Sequence, residues 1–158
     1  MGEINPANLK LYRCTTWTEG DSHGGAIDTT SEIISGNINN IFDNVTNAER
    51  ENGMTDYRKV FLRNENASTW PSVVAWIQQL TNATNDEVSI ALGTDGGTKA
   101  DEGAGLSYVQ PTTSDHTDAL SIGDLAQDEY QAIWIKRIVT AGGNGYTNNT
   151  FQLAADSV

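Results

Sequence analysis

Tyr57-Arg58-Lys59-Val60-Phe61-Leu62-Arg63 is the stretch whose reading decides the fold. In an extended chain successive side chains point to opposite faces, so Tyr57, Lys59, Phe61 and Arg63 share one face and Arg58, Val60 and Leu62 the other. Both faces are partly apolar, as an inner strand of a β-sandwich requires. Downstream, Tyr130 to Val139 (Tyr-Gln-Ala-Ile-Trp-Ile-Lys-Arg-Ile-Val) is the strongest strand in the chain. Val88, Ile90 and Leu92 alternate and stop at Gly93. Upstream, Leu9 to Trp17 alternates and ends in β-forming residues. Val73 to Leu80 is an ambiguous apolar run that Pro71 and a β-branched start turn toward strand.

Weaker signals fill the rest. Gly24 to Asp28 begins a faint strand or an extended arm, and Leu120, Ile122 and Leu125 lead into the strong strand. Phe151 and Leu153 give a closing strand, so the last stretch reads as a C-terminal hairpin with Ala141 to Asn149 as its turn-rich loop. Ile33 to Phe42 fits neither the helical nor the extended period. Thr46-Asn47-Ala48-Glu49 matches a capping box, which supports one short helical turn ending at Gly53. The expectation is an all-β chain: a single β-sandwich, Ig-like or jelly-roll-like, of about seven or eight short strands with at most one short helix. Residues 1–35 are expected as an N-terminal arm with the first strand, and 36–158 as the sandwich domain.

Composition narrows the function classes. The 158 residues carry a formal net charge of −12, and their nine Lys and Arg are scattered, so no basic stripe could track a phosphate backbone. No nucleic-acid partner is expected. Neither is a membrane partner, because no apolar run approaches the ~20 residues of a spanning helix. The single cysteine, Cys14, excludes an internal disulfide and reads as a small apolar strand residue. The N-terminus lacks an apolar secretory segment, so synthesis in the cytoplasm is expected.

Catalytic chemistry finds little support. His23 and His116 each sit in polar, loop-like settings with no partner at metal-ligand spacing, and they read as exposed loop histidines. Ser22-His23 and Ser114-Asp115-His116 offer hydrolase residue types without a nucleophile elbow. In the stretch Gly93 to Gly105, expected as an exposed and mobile loop, Asp95, Asp101 and Glu102 offer hard oxygen ligands, but the spacing is not that of an EF-hand. Lys99 lacks the placement of a phosphate-binding loop. Four Asn-x-Ser/Thr sequons, at Asn44, Asn66, Asn82 and Asn148, follow from an Asn- and Thr-rich composition. No catalytic residue, cofactor or metal is expected.

Trp76 and Trp134 lie within strands and read as core. Trp17 and Trp70 sit at strand ends beside polar loops, where an indole often anchors a partner. An exposed-tryptophan sugar site is the rival reading, which would make the chain a carbohydrate-binding module.

Two stretches carry a resemblance. The first runs through Gly24-Gly25-Ala26-Ile27, Ile34-Ser35-Gly36, Asn39-Asn40-Ile41-Phe42, Glu49-Arg50, Gly53 and Tyr57 to Asn64. The second comprises Ile122-Gly123-Asp124-Leu125, Ala132 to Arg137, Val139, Ala141-Gly142 and Phe151. Together they resemble small structural proteins of tailed bacteriophages, with one departure: Thr140 stands where a proline is expected before the Ala-Gly turn. The resemblance implies a virion location, contact with the major capsid protein and with copies of itself, and no catalytic residues. Head decoration is the first expectation, with a trimer as the self-assembly; a tail, neck or baseplate subunit is the alternative. Leu9, Leu11, Tyr12, Trp17 and Trp70 are the expected contact residues, with the arm adding a strand to a neighbour's sheet edge.

Overall fold

The computed structural model describes residues 2–80, 85–142 and 151–158. Eight strands form two antiparallel sheets: β1 (Leu9–Thr16), β2 (Gly24–Glu32), β3 (Met54–Asn64), β4 (Trp70–Gln79), β5 (Asp86–Gly93), β6 (Leu120–Leu125), β7 (Tyr130–Val139) and β8 (Gln152–Ser157). Five strands run in the order β2-β1-β3-β7-β5 and three in the order β6-β4-β8. The all-β sandwich expected from the alternation is the architecture observed. The one short helix, α1 (Asn47–Asn52), begins on the expected capping box and ends at Gly53, whose φ of 77° suits glycine.

The two faces of β3 explain its central place. Val60 and Leu62 join Ile133 and Ile135 of β7, Val88 and Ile90 of β5, and Val73, Ala75 and Ile77 of β4 in the core between the sheets. Each Val, Leu or Ile among them contributes about 1.5–3 kcal/mol when fully buried. The opposite face carries Lys59 and Phe61, which sit beside Trp134 and Ala132 of β7, and all four are buried as well. The larger sheet is therefore covered on both sides: by the three-stranded sheet on one, and by loop segments on the other.

Two expectations are corrected by the pairing. Residues 1–35 are not a separate arm, because β1 lies between β2 and β3 with Leu11 opposite Leu62 and Arg13 opposite Val60. Leu9 and Leu11 pack on the main core while Tyr12 and Cys14 pack on the other face with Phe61; a strand with apolar side chains both ways is stable only inside a sheet. The C-terminal hairpin is not formed either. β7 pairs along its whole length with β3 and from Ala132 to Val139 with β5, whereas β8 pairs with β4 in the other sheet. β7 has two apolar faces and needs a neighbour on each side, while Gln152-Leu-Ala-Ala-Asp-Ser157 is short and suits an edge. Most of the turn-rich connection Ala141 to Asn149 lies outside the described residues, as do the sequons at Asn82 and Asn148. Thr140 is explained by its backbone: its N–H donates to Asn85 O at 2.8 Å, a bond proline could not make.

The stretch Ile33 to Phe42, which fits no period, is an irregular excursion with both ends buried. Ile33 and Phe42 join the core, and Ile34 and Ile38 face outward at 51% and 87% exposure. Asn40 Nδ2 donates to Ile34 O at 2.8 Å, Arg13 Nη2 donates to Asn40 O at 3.1 Å, and Asn39 takes a φ of 56°. These contacts shape the loop without burying its middle.

Candidate functional site

Polar chemistry concentrates on the outer face of the five-stranded sheet. Lys59, in mid-strand, is fully buried, and its Nζ donates to Thr94 O at 2.5 Å and Gly97 O at 2.8 Å. Glu102 Oε1 lies 3.6 Å from the same Nζ and accepts from Trp134 Nε1 at 2.7 Å. The Glu102 carboxylate also accepts from the Thr94 N–H and hydroxyl. Burial opposes the charge of Glu102, but the Thr94 and Trp134 donors hold its carboxyl below the ordinary range. Burial pulls the Lys59 ammonium down, against the attraction of Glu102. Gly103 lies flat on the Trp134 ring, where a Cβ would come within 2.7 Å of it.

These bonds correct the reading of Gly93 to Gly105 as a mobile loop. Although Thr94 to Gly96 are exposed, the backbone is pinned to the sheet at Lys59, Trp134 and Gly103, and Gly25 N donates to Gly97 O. Its three acidic residues do not converge on one point: Asp95 accepts from Tyr130 OH, Asp101 bonds with Thr98, and Glu102 turns inward.

His23 is the second correction, because it is 0% exposed instead of lying in an open loop. β1 and β3 pair only as far as Arg13 opposite Val60. Past that point the Lys59 N–H donates to His23 Nε2 at 2.9 Å, so the imidazole stands in for the missing strand residue. The Thr18 N–H approaches Nδ1 at 3.2 Å. Both ring nitrogens thus face donors; a neutral imidazole can answer one of them, and an imidazolium neither. Burial, reinforced by Arg58, brings the His23 pKa down to about 4. Cys14 Sγ lies 3.6 Å from Nε2, and burial pushes its thiol pKa up. A buried, protonated thiol beside a neutral imidazole is a packing arrangement and not a nucleophile poised for attack. Alternation carries no hint of this arrangement, since its members come from four separate segments; the one legible signal is a lysine in mid-strand among apolar neighbours.

A second cluster was also missed. Carboxylate oxygens of Glu19, Asp43 and Asp56 lie within 4.8 Å of one another. Arg58 Nη1 sits 2.7 Å from Asp56, and Nη2 sits 3.8 Å from both Glu19 and Asp43. A hydrogen bond shared with Asp43 raises the pKa of Glu19. The guanidinium already neutralises much of this charge, while its carbon stacks 5.4 Å from the Phe42 ring.

The expected contact residues fall into two groups. Leu9, Leu11 and Trp70 line an apolar crevice of about 260 Å³ between the sheets, together with Leu62, Leu153 and Ala155. Trp70 forms its inner wall at 2% exposure, too deep to be a surface anchor or a sugar platform. Tyr12 and Trp17 lie elsewhere. Tyr12 is buried with its OH donating to Glu65, and Trp17 is half-buried between the His23 ring and the Arg13 guanidinium. His116 is exposed, as expected, and its ring stands 4.2 Å from that of Trp76, which is buried like Trp134.

No family model matches the chain, and no curated protein or solved structure matches it either.

Proposed function

We propose that this chain is a non-catalytic structural subunit of a tailed-phage particle, a head decoration protein that binds the major capsid protein and copies of itself on the virion. The phage assignment is supported by the two sequence stretches that resemble small virion proteins. The mode of action is supported by one observation: Leu9 and Leu11, expected as contact residues, lie in an apolar crevice beside the edge strand β8. Apolar surface at a sheet edge suits docking of a neighbouring subunit by packing and strand addition. The histidine, lysine and glutamate best able to do chemistry are engaged in holding a loop to the sheet.

The test is cosedimentation of the pure protein with heads from a phage lacking this gene. Saturable, stoichiometric binding to heads is the expected result. Binding to tails instead would move the protein to the tail, neck or baseplate, and binding to neither would refute the virion role.

A further inference from the structure

The segment that enters β2 and the loop after β5 form one outer layer on the five-stranded sheet. Gly25 N donates to Gly97 O at 3.1 Å, Lys99 N to His23 O at 2.7 Å and Ala100 N to Asp21 O at 3.1 Å. Lys99 Nζ also lies 3.3 Å from the Asp21 carboxylate. Residue 59 fastens both parts of this layer: its N–H donates to His23 Nε2, and its Nζ donates to Thr94 O and Gly97 O. His23, Lys59 and Glu102 thus make a clasp. Beneath its histidine lie Cys14, with Sγ 3.6 Å from Nε2, and the Trp134 ring, with its centroid 5.9 Å away.

The two halves of the clasp respond differently to acid. Glu102 keeps its charge, because the Thr94 and Trp134 donors hold its carboxyl below the ordinary range. The imidazole faces donors on both sides, the Lys59 N–H at 2.9 Å and the Thr18 N–H at 3.2 Å. A protonated ring carries an N–H at each nitrogen and can accept neither. The charged groups around it are cationic: Arg58 and Lys59 from β3, and Lys99 from the loop. Their carboxylate partners are Asp56, Glu19 and Asp43 for Arg58, Glu102 for Lys59 and Asp21 for Lys99. From β1 the ring meets the Cys14 thiol, and from β7 the Trp134 indole. Among the described residues no carboxylate bonds to the ring, so an imidazolium is stabilised only by turning into water.

We infer that Asp21 to Gly25 is an acid-released flap: when His23 takes up a proton, the segment swings off the sheet and uncovers Cys14 while both sheets stay paired. The ladders of β1 with β3, β3 with β7 and β5 with β7 do not run through the flap. The core between the sheets lies on the opposite face, with Val60 and Leu62 of β3. Gly24 and Gly25, at φ of 129° and 90°, form the junction with β2, where backbone freedom is greatest. The bonds to residues 97–100 run along a rim that is half-buried or exposed, so water can replace them as the flap leaves. Opening of this kind is a local event and leaves the rest of the fold in place.

Cys14 is the single thiol of the chain, so its exchange with dithiodipyridine, a reagent that still reacts with thiols in acid, reports the opening. The rate in the unfolded chain divided by the rate in the native protein at the same pH gives a protection factor free of the thiol's own pH dependence. With the flap open His23 titrates near 6.5, and with it closed near about 4. Protection is therefore expected to fall about tenfold per pH unit between those values, ~300-fold in all, with the far-UV circular dichroism unchanged. Dilute urea should leave it unaltered, because a local opening exposes little surface. His23→Gln, which keeps an acceptor and does not titrate, should show protection that is flat over the same range. Constant protection in the unaltered protein overturns the inference, as does a urea dependence as steep as that of global unfolding. Both are read without the variant, so they decide the matter even if His23→Gln fails to fold. An equal fall in a folded His23→Gln overturns it too.

Discussion

Acid should loosen this fold through one buried imidazole. In the unfolded chain His23 takes up a proton near its ordinary pKa of 6.5, whereas in the folded chain it resists protonation until about pH 4. Between those values the unfolded state binds more protons than the folded state, so stability falls as pH falls from about 6.5 toward about 4 and is fully present above that window. The gap, at 1.36 kcal/mol per pH unit, comes to about 3 kcal/mol at its limit. The physical source is burial of the imidazole, with Arg58, Lys99 and Lys59 adding positive charge nearby. Urea unfolding at steps from pH 7 to about 4 measures it. His23→Gln keeps an acceptor for the Lys59 N–H but does not titrate, so its stability should fall less steeply over the same range. Carboxylates affect both proteins alike and cancel in the difference. Parallel curves for the two proteins would refute the reasoning.

Further predictions concern the clasp and the core. Lys59→Met leaves Thr94 O, Gly97 O and the Glu102 carboxylate without their cation, and it should cost about 3 kcal/mol, a fall in Tm of roughly 6–12 °C by calorimetry. Adding Glu102→Gln to it should recover part of that loss, and strict additivity of the two would argue against coupling. Gly103→Ala drives a methyl into the Trp134 ring and should cost about 1–3 kcal/mol, with a red shift of tryptophan emission if the loop lifts. Trp70→Ala should lower stability by about 3–5 kcal/mol in denaturant unfolding, because the indole is core and not contact surface. Thr46→Ala removes the hydroxyl that accepts from the Glu49 N–H, while the residue-46 N–H can still donate to the Glu49 carboxylate, and should cost about 0.5–2 kcal/mol by the same assay.

Strand identity was legible wherever side chains alternated, and less so where they met across the fold. β3, β4, β5, β6 and β7 follow from runs such as Val88, Ile90 and Leu92, because the period of two is a property of the chain itself. Which sheet a strand joins depends on partners far away in sequence, and so β8 was matched to β7 when β4 is its neighbour. The clasp was illegible for a related reason. A histidine in a polar stretch reads as solvated, and only the early end of β1–β3 pairing creates the vacancy that His23 fills. Trp70 misled because a strand end beside polar residues usually faces water, whereas this one turns into the gap between the sheets. Leu9 and Leu11 were legible as strand residues from their alternation, and they line the crevice from within a sheet.

The position of β7 between β3 and β5 has a consequence for how the chain acquires its shape. β1, β2 and β3 are complete once residue 64 has been made, and they can pair locally with β1 in the middle. β5 has no partner among these three. It must wait until residues 130–139 exist, because β7 is the strand that joins it to β3 and the rest of the sheet. Such distant pairing is slow because the entropy of closing the intervening loop is lost before any contact is gained. During synthesis the strand Asp86–Gly93 stands without its neighbour, as does β4, which waits for β6 and β8, and both are open to mispairing with other nascent chains. The acidic excess of the chain, −12 overall, supplies repulsion between molecules during the interval.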